Sequence, residues 1–165
     1  MGRTGHSILK TDVKELNAIL GGELSGHIVF GREYYLIDDP MFCALKIIEL
    51  MQQKSCAASE LFPDIPEMYS TAEVKAPVPE DKKFQVVLAL TESFQAAGLD
   101  VVTIDGARVT MDAGWGLVRA SNTTANLTLR FESRTREGLG EVRDVFLEHL
   151  RAHDFIDLTN VNEAI

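Results

Sequence analysis

The sequence predicts an α/β first half, a mixed sheet with helices, followed by a separate α+β unit built helix, antiparallel sheet, helix. Three observations carry that reading. Prolines cluster between Ser59 and Pro79, at Pro63, Pro66, Pro77 and Pro79, with little periodicity among them. Before that stretch helical and strand patterns alternate. After it a helix is followed by several strands and a last helix. Proline removes a backbone donor and turns its preceding residue away from helix, so the stretch reads as a linker. The expected division is residues 1–62, a linker over 63–79, a second unit over 80–155 and a tail over 156–165.

In the first half the pattern predicts a helix over Thr11–Leu20 that stops at Gly21-Gly22. His27–Phe30 and Glu33–Ile37 read as strands joined through Gly31-Arg32. Asp39 then caps a helix that carries Pro40 at its first position, where a missing N–H costs nothing. Met41, Leu45, Ile48 and Met51 give that helix an apolar stripe expected to be buried. One short strand fits near Thr71–Lys75.

In the second half Phe84, Val87, Leu88 and Phe94 mark a helix ending near Gly98. Val101–Ile104 and Arg108–Met111 flank Asp105-Gly106, a strong turn signal. Trp115–Ala120 is a further strand, with Gly114 and Gly116 loosening its entry. In Asn126–Phe131, Leu127, Leu129 and Phe131 alternate with polar residues, as in a strand with one buried face. A final helix over Thr135–His149 turns Leu139, Val142, Phe146 and Leu150 inward. Gly138 and Gly140 should weaken its first turns by roughly 1 kcal/mol each relative to alanine.

Composition excludes several classes. With 165 residues, 45% of them apolar, the chain can bury a core. Its net charge is −9 and it has no basic run, which argues against nucleic-acid binding. No apolar run approaches the roughly 18 residues of a membrane span, and the N-terminus lacks the apolar core of a secretion signal. Cys43 and Cys56 match no common zinc spacing and read as reduced thiols of a cytoplasmic protein. His149 and His153 lie four apart with no third ligand evident, and Trp115 reads as a packing residue.

Two constellations carry chemistry. Gly114-Trp115-Gly116-Leu117-Val118-Arg119-Ala120-Ser121-Asn122-Thr123-Thr124 runs from a strand into a polar turn. The turn gathers a guanidinium, hydroxyls, an amide and free backbone N–H groups. Such a set suits an oxyanion, because arginine presents a fork of donors and successive amides form a nest. It equally suits a hairpin corner whose Ser and Asn satisfy their own backbone. Gly21-Gly22-Glu23-Leu24-Ser25-Gly26-His27 places a carboxylate, a hydroxyl and an imidazole among glycines. Glu23 and Ser25 share strand parity and could meet vicinal hydroxyls of a sugar, or they could be solvated residues at a glycine-rich strand entry.

Together with Thr4-Gly5-His6-Ser7, these segments resemble the phosphomannomutase/phosphoglucomutase branch of the α-D-phosphohexomutases, in order and in separation, from Arg3 to about His149. The resemblance implies part of that family's third domain followed by its C-terminal domain. It assigns Glu23 and Ser25 to sugar hydroxyls. Arg119, Ser121, Asn122 and Thr123 fall to the non-reacting phosphate of a mannose or glucose phosphate. His6 and His27 would stand near the reacting phosphate as proton-transfer or electrostatic support.

The departures bound this implication. Family members transfer phosphate through a phosphoserine in a Thr-Ala-Ser-His-Asn-Pro-type loop and bind Mg²⁺ through an Asp-Gly-Asp-Gly-Asp-Arg-type loop. Neither motif occurs here. Asp38-Asp39 is no substitute, and Ala125 stands where the family often has proline. The chain is therefore expected to bind no metal itself, although Mg²⁺ is implied for the full-length enzyme. Alone it should lack turnover. It would act as the C-terminal part of a mutase, with the missing N-terminal domains supplied in cis or in trans. The alternatives are a non-catalytic sugar-phosphate-binding module and a decayed fragment. A partial sheet should also leave residues 1–60 soft or self-associating.

Overall fold

In a computed structural model that describes residues 1–165, the chain separates into two units, Met1–Pro66 and Glu67–Ile165. The first begins with helix α1 over His6–Glu15, earlier than the apolar pattern suggests. Gly5 serves as its N-cap, and Asn17 takes a left-handed conformation (φ 49°) just past its end. The chain then leaves for strand β1, Leu20–Gly22, which pairs antiparallel with β2, Ile28–Phe30. The residues Leu16–Leu20, read as helical, thus belong to the exit from α1 and the entry to β1.

Glu33–Ile37 does not form a strand. Leu36 takes φ 56°, and only Asp38 returns to bridge Val29. The Tyr34 ring stacks instead on Phe42, centroids 4.1 Å apart, so aromatic packing overrides the extended propensity. Phe42 lies in helix α2, Pro40–Lys54, where Asp39 Oδ1 accepts from the backbone N–H of Met41 and Phe42 as the Asp-Pro signature predicts. The inward face of α2 is not the predicted stripe. Phe42, Cys43, Lys46, Leu50 and Met51 are half-buried, whereas Met41, Leu45 and Ile48 are exposed. The helix is apolar on both sides, and periodicity alone cannot choose between them.

The second unit is a six-stranded antiparallel sheet with helices α3, Lys83–Ala96, and α4, Arg136–Leu150, packed on its core. Strands β3 (Tyr69–Ser70) and β4 (Val74–Pro77) pair in turn with β8, Asn126–Ser133. On its other side β8 meets β7, Gly114–Ala120, followed by β6, Ala107–Met111, and β5, Asp100–Val102. The stretch 63–79 is therefore more than a linker. Val74, Ala76 and Val78 alternate inward, and the prolines are tolerated because β4 lies along only one neighbour. The tail over 156–165 is likewise structural: helix α5, Thr159–Asn162, and its approach place Ile156 and Val161 in the core.

Leu127, Leu129 and Phe131 of β8 are fully buried, as their alternation predicts. They pack with Leu139, Val142, Phe146 and Leu150 of α4 and Val86, Leu90 and Phe94 of α3. The α3 stripe is displaced from the predicted one: Phe84 and Leu88 are exposed, and Lys83 takes an inward place. Gly116 is small for a packing reason, since a Cβ there would run into the Phe146 ring.

Candidate functional site

The first candidate loop is the turn between β1 and β2. Glu23 N–H donates to His27 O (2.9 Å) and Gly26 N–H to Glu23 O (3.0 Å), closing a tight hairpin rather than continuing a strand. Gly26 takes φ 90°, which the turn requires and glycine supplies. Glu23 and Ser25 come together through this turn, not through strand parity: Ser25 Oγ donates to Glu23 Oε2 at 3.2 Å. The other oxygen, Oε1, accepts from Gly5 N–H at 2.8 Å and so ties the Thr4–Ser7 segment to the hairpin. Each carboxylate oxygen keeps a further lone pair for a ligand hydroxyl.

His6, on the first turn of α1, and His27 face each other with ring centroids 5.4 Å apart. Between them stands Asp38. Its Oδ2 is hydrogen-bonded to His27 Nδ1 and lies 3.9 Å from His6 Nε2, while Oδ1 accepts from Ile28 N–H at 3.2 Å. The hydrogen bond from His27, the Ile28 N–H and the nearby imidazoles hold the Asp38 carboxyl below the usual carboxylate range, against the effect of burial. Asp39 is held low as well, first by the Tyr34 hydroxyl (2.7 Å) and then by the Phe42 and Met41 N–H groups. Both carboxylates are thus committed within the protein. They do not fit Mg²⁺, and no group of three or more His, Cys, Asp or Glu side chains gathers as a cation site.

The second candidate loop follows β7 in the other unit. Ser121 Oγ accepts from Thr123 N–H (3.3 Å), Thr124 N–H (3.2 Å) and the Thr124 hydroxyl (2.9 Å). Asn126 closes the loop through Ser121 N–H to Asn126 O at 3.0 Å. The serine thus takes up amide donors of its own turn, which is the geometry of the hairpin-corner reading. Asn122 and Thr123 are exposed at its tip. Arg119 is half-buried at the end of β7, where the strand runs into this loop. Gly106 (φ 79°) lies against Val118 O and Arg119, where a Cβ would collide with backbone.

Lys83 is a residue that the sequence pattern misses. Its side chain is 2% exposed, it pairs with Glu80, and its Nζ donates to Thr124 O at 3.2 Å, holding the far rim of this loop. Trp115 is a packing residue: its Nε1–H donates to Glu132 (3.1 Å) and the Arg108 guanidinium stacks 4.6 Å from its ring. His149 Nδ1 is hydrogen-bonded to the Ser93 hydroxyl at 2.7 Å.

Comparison with known proteins places both loops in one lineage. Residues 1–69 match the family model for phosphoglucomutase/phosphomannomutase, alpha/beta/alpha domain III, and residues 73–149 match the model for the C-terminal domain. The chain belongs to the phosphoglucomutase/phosphomannomutase family. Among its relatives, a phosphomannomutase/phosphoglucomutase of Pseudomonas aeruginosa is 41% identical over 93% of this chain and 33% of its own length. A phosphoglucomutase of Neisseria meningitidis is 37% identical over 88% of this chain and 32% of its own length. A solved structure of a phosphoglucomutase/phosphomannomutase family protein from Burkholderia thailandensis superposes with a TM-score of 0.81 at 34% identity, covering 92% of this chain and 32% of that one. This member of the phosphoglucomutase/phosphomannomutase family therefore spans about a third of the length of the relatives it matches. None of its helices is long and apolar enough to cross a membrane.

Proposed function

We propose that this chain supplies the sugar-hydroxyl and phosphate grips of a phosphomannomutase/phosphoglucomutase, the interconversion of hexose 1- and 6-phosphates being completed by residues outside this sequence. One observation carries the reading: a half-buried Arg119 at the end of β7, beside a loop whose successive N–H groups converge on Ser121. A guanidinium presents a fork of donors that a phosphate monoester engages bidentately, and converging backbone amides suit the same anion.

In this reading Arg119, Ser121, Asn122 and Thr123 hold the phosphate that does not react. Glu23 accepts from a ring hydroxyl and Ser25 donates to or accepts from its neighbour. His6 and His27 stand at the reacting end as proton-transfer or electrostatic support. Phosphoryl transfer also needs a nucleophile and charge neutralisation by a metal, which the family's serine and Mg²⁺ loops would contribute from domains in cis or in trans. Neither motif lies in this sequence, and Asp38 and Asp39 are already engaged. A non-catalytic sugar-phosphate-binding module is the second reading, favoured by that commitment of the carboxylates.

Calorimetric titration with mannose 6-phosphate and glucose 1-phosphate tests the grip. Binding should weaken about 10- to 100-fold in Arg119→Ala, the loss of a charge-assisted bond. Absence of heat at millimolar ligand would overturn both readings and favour a decayed fragment. Adding a polypeptide that bears the serine and metal loops separates the two: mutase turnover that appears, and disappears with Arg119→Ala, marks a mutase part.

A further inference from the structure

The histidines His6 and His27 share a residue that the sequence motifs do not single out. Asp38 lies beyond the β2 strand, eleven positions from His27, in a segment whose strand pattern is broken by Leu36. Two constraints fix its carboxylate. The backbone bridge between Val29 and Asp38 anchors the main chain, and Ile28 N–H holds Oδ1 at 3.2 Å. That leaves Oδ2 for the imidazoles: hydrogen-bonded to His27 Nδ1 and 3.9 Å from His6 Nε2. The Asp38 side chain is 17% exposed whereas each imidazole is 46% exposed, so the carboxylate backs the rings and the rings face outward.

We propose that Asp38 is a positioning residue for the phosphohexomutase chemistry, fixing His27 as its Nδ1–H tautomer so that Nε2 carries the lone pair presented to a ligand. An ionised carboxylate is acceptor-only, so the hydrogen on their shared bond belongs to His27 Nδ1. A neutral imidazole has one N–H, which leaves Nε2 as acceptor and proton receiver. The same oxygen stands 3.9 Å from His6 Nε2. A carboxylate that sets the tautomer and orientation of a histidine is a general device of proton-transfer sites. Its use here rests on the sugar-phosphate reading of the loop.

The replacement Asp38→Asn distinguishes orientation from mere support. Ile28 N–H requires an oxygen at its position, so the amide oxygen turns to Ile28 and the –NH₂ turns to His27 Nδ1. His27 must then accept at Nδ1 and carry its hydrogen on Nε2. Long-range ¹H–¹⁵N spectra of the chain, ¹⁵N-labelled at histidine and recorded at about pH 8 where imidazole is neutral, report the tautomer directly. The expected result is a protonated Nδ1 in the wild-type chain and a protonated Nε2 in Asp38→Asn. A wild-type His27 protonated on Nε2, or a tautomer unchanged by the substitution, would overturn the proposal. Should the variant lose its folded amide spectrum, the wild-type tautomer alone decides. The same samples titrated with glucose 1-phosphate keep the two claims apart. A correct tautomer without ligand-dependent shifts removes the sugar-phosphate reading, and ligand shifts with the wrong tautomer remove the role of Asp38.

Discussion

A lysine ammonium that is almost wholly buried must find charge and hydrogen-bond partners within the protein, because water is not there to supply them. Lys83 finds two, the Glu80 carboxylate and the carbonyl of Thr124, and the second lies in the candidate phosphate loop. A lysine beside Phe84 in a helical pattern reads from sequence as a solvated position; its inward turn follows from the displaced stripe of α3. Asp38 is hidden in the same way, since adjacent carboxylates before a proline look like a helix cap, and only Asp39 is one. Arg119, Ser121, Glu23 and Ser25 stand out in the sequence as candidates because their segments concentrate donors and glycines within a few residues. Replacing Lys83 separates its packing from its charge. In Lys83→Met the stem stays filled and the desolvated charge is gone, so the melting temperature should change little. Phosphate affinity measured by calorimetry should fall several-fold, because the Thr124 carbonyl loses the donor that holds the loop rim. Unchanged affinity in a folded Lys83→Met chain would exclude a positioning role for this lysine.

Helix α4 shows what pattern alone can and cannot establish about an element. Its inward residues and the Thr135 cap, which accepts from Gly138 N–H at 3.0 Å, follow from periodicity and capping chemistry. Its two glycines look equivalent by propensity, each costing roughly 1 kcal/mol relative to alanine. Their surroundings differ. Nothing lies within 4 Å of a Cβ built at Gly140, whereas one at Gly138 would approach Ser133 Oγ at 2.5 Å and Ala113 O at 2.9 Å. The Gly138 contact joins α4 to Ser133, close by in sequence, and to Ala113, the residue before β7 and distant from it, which local pattern cannot reveal. Gly140→Ala should therefore stabilise the protein by about 0.5–1 kcal/mol. Gly138→Ala should destabilise it by about 1–3 kcal/mol, as overpacked positions do. Thermal melting of the two variants checks the opposite signs, and shifts in the same direction would refute the distinction. Helix α2 fails in the complementary way: it is apolar on two sides, so the sequence names the helix but not its inner face.

At the scale of the whole chain, the two units are unequal in the burial that sustains them. The unit Glu67–Ile165 closes a continuous apolar core between its sheet and helices. In Met1–Pro66 only Val13, Val29 and Leu61 are buried apolar residues, while Met41, Leu45, Ile47 and Ile48 of α2 stay exposed. Burial contributes about 25 cal/mol per Å² of apolar surface, and ordering a residue's backbone costs about 1–2 kcal/mol, so a unit with so few buried side chains has little surplus. Its β1–β2 hairpin is two strands of three residues, below what stands alone in water. The sequence separates the units through its prolines, but it cannot show this inequality, because α2 carries as much apolar character as a buried helix. Native-state hydrogen exchange should therefore show protection approaching the global unfolding limit in β7, β8 and α4, and much faster exchange in α1, β1 and β2. A ligand that engages Glu23 and Ser25 should slow exchange in the first unit in proportion to its occupancy. Equal strong protection across both units in the free chain would overturn this ordering of stabilities.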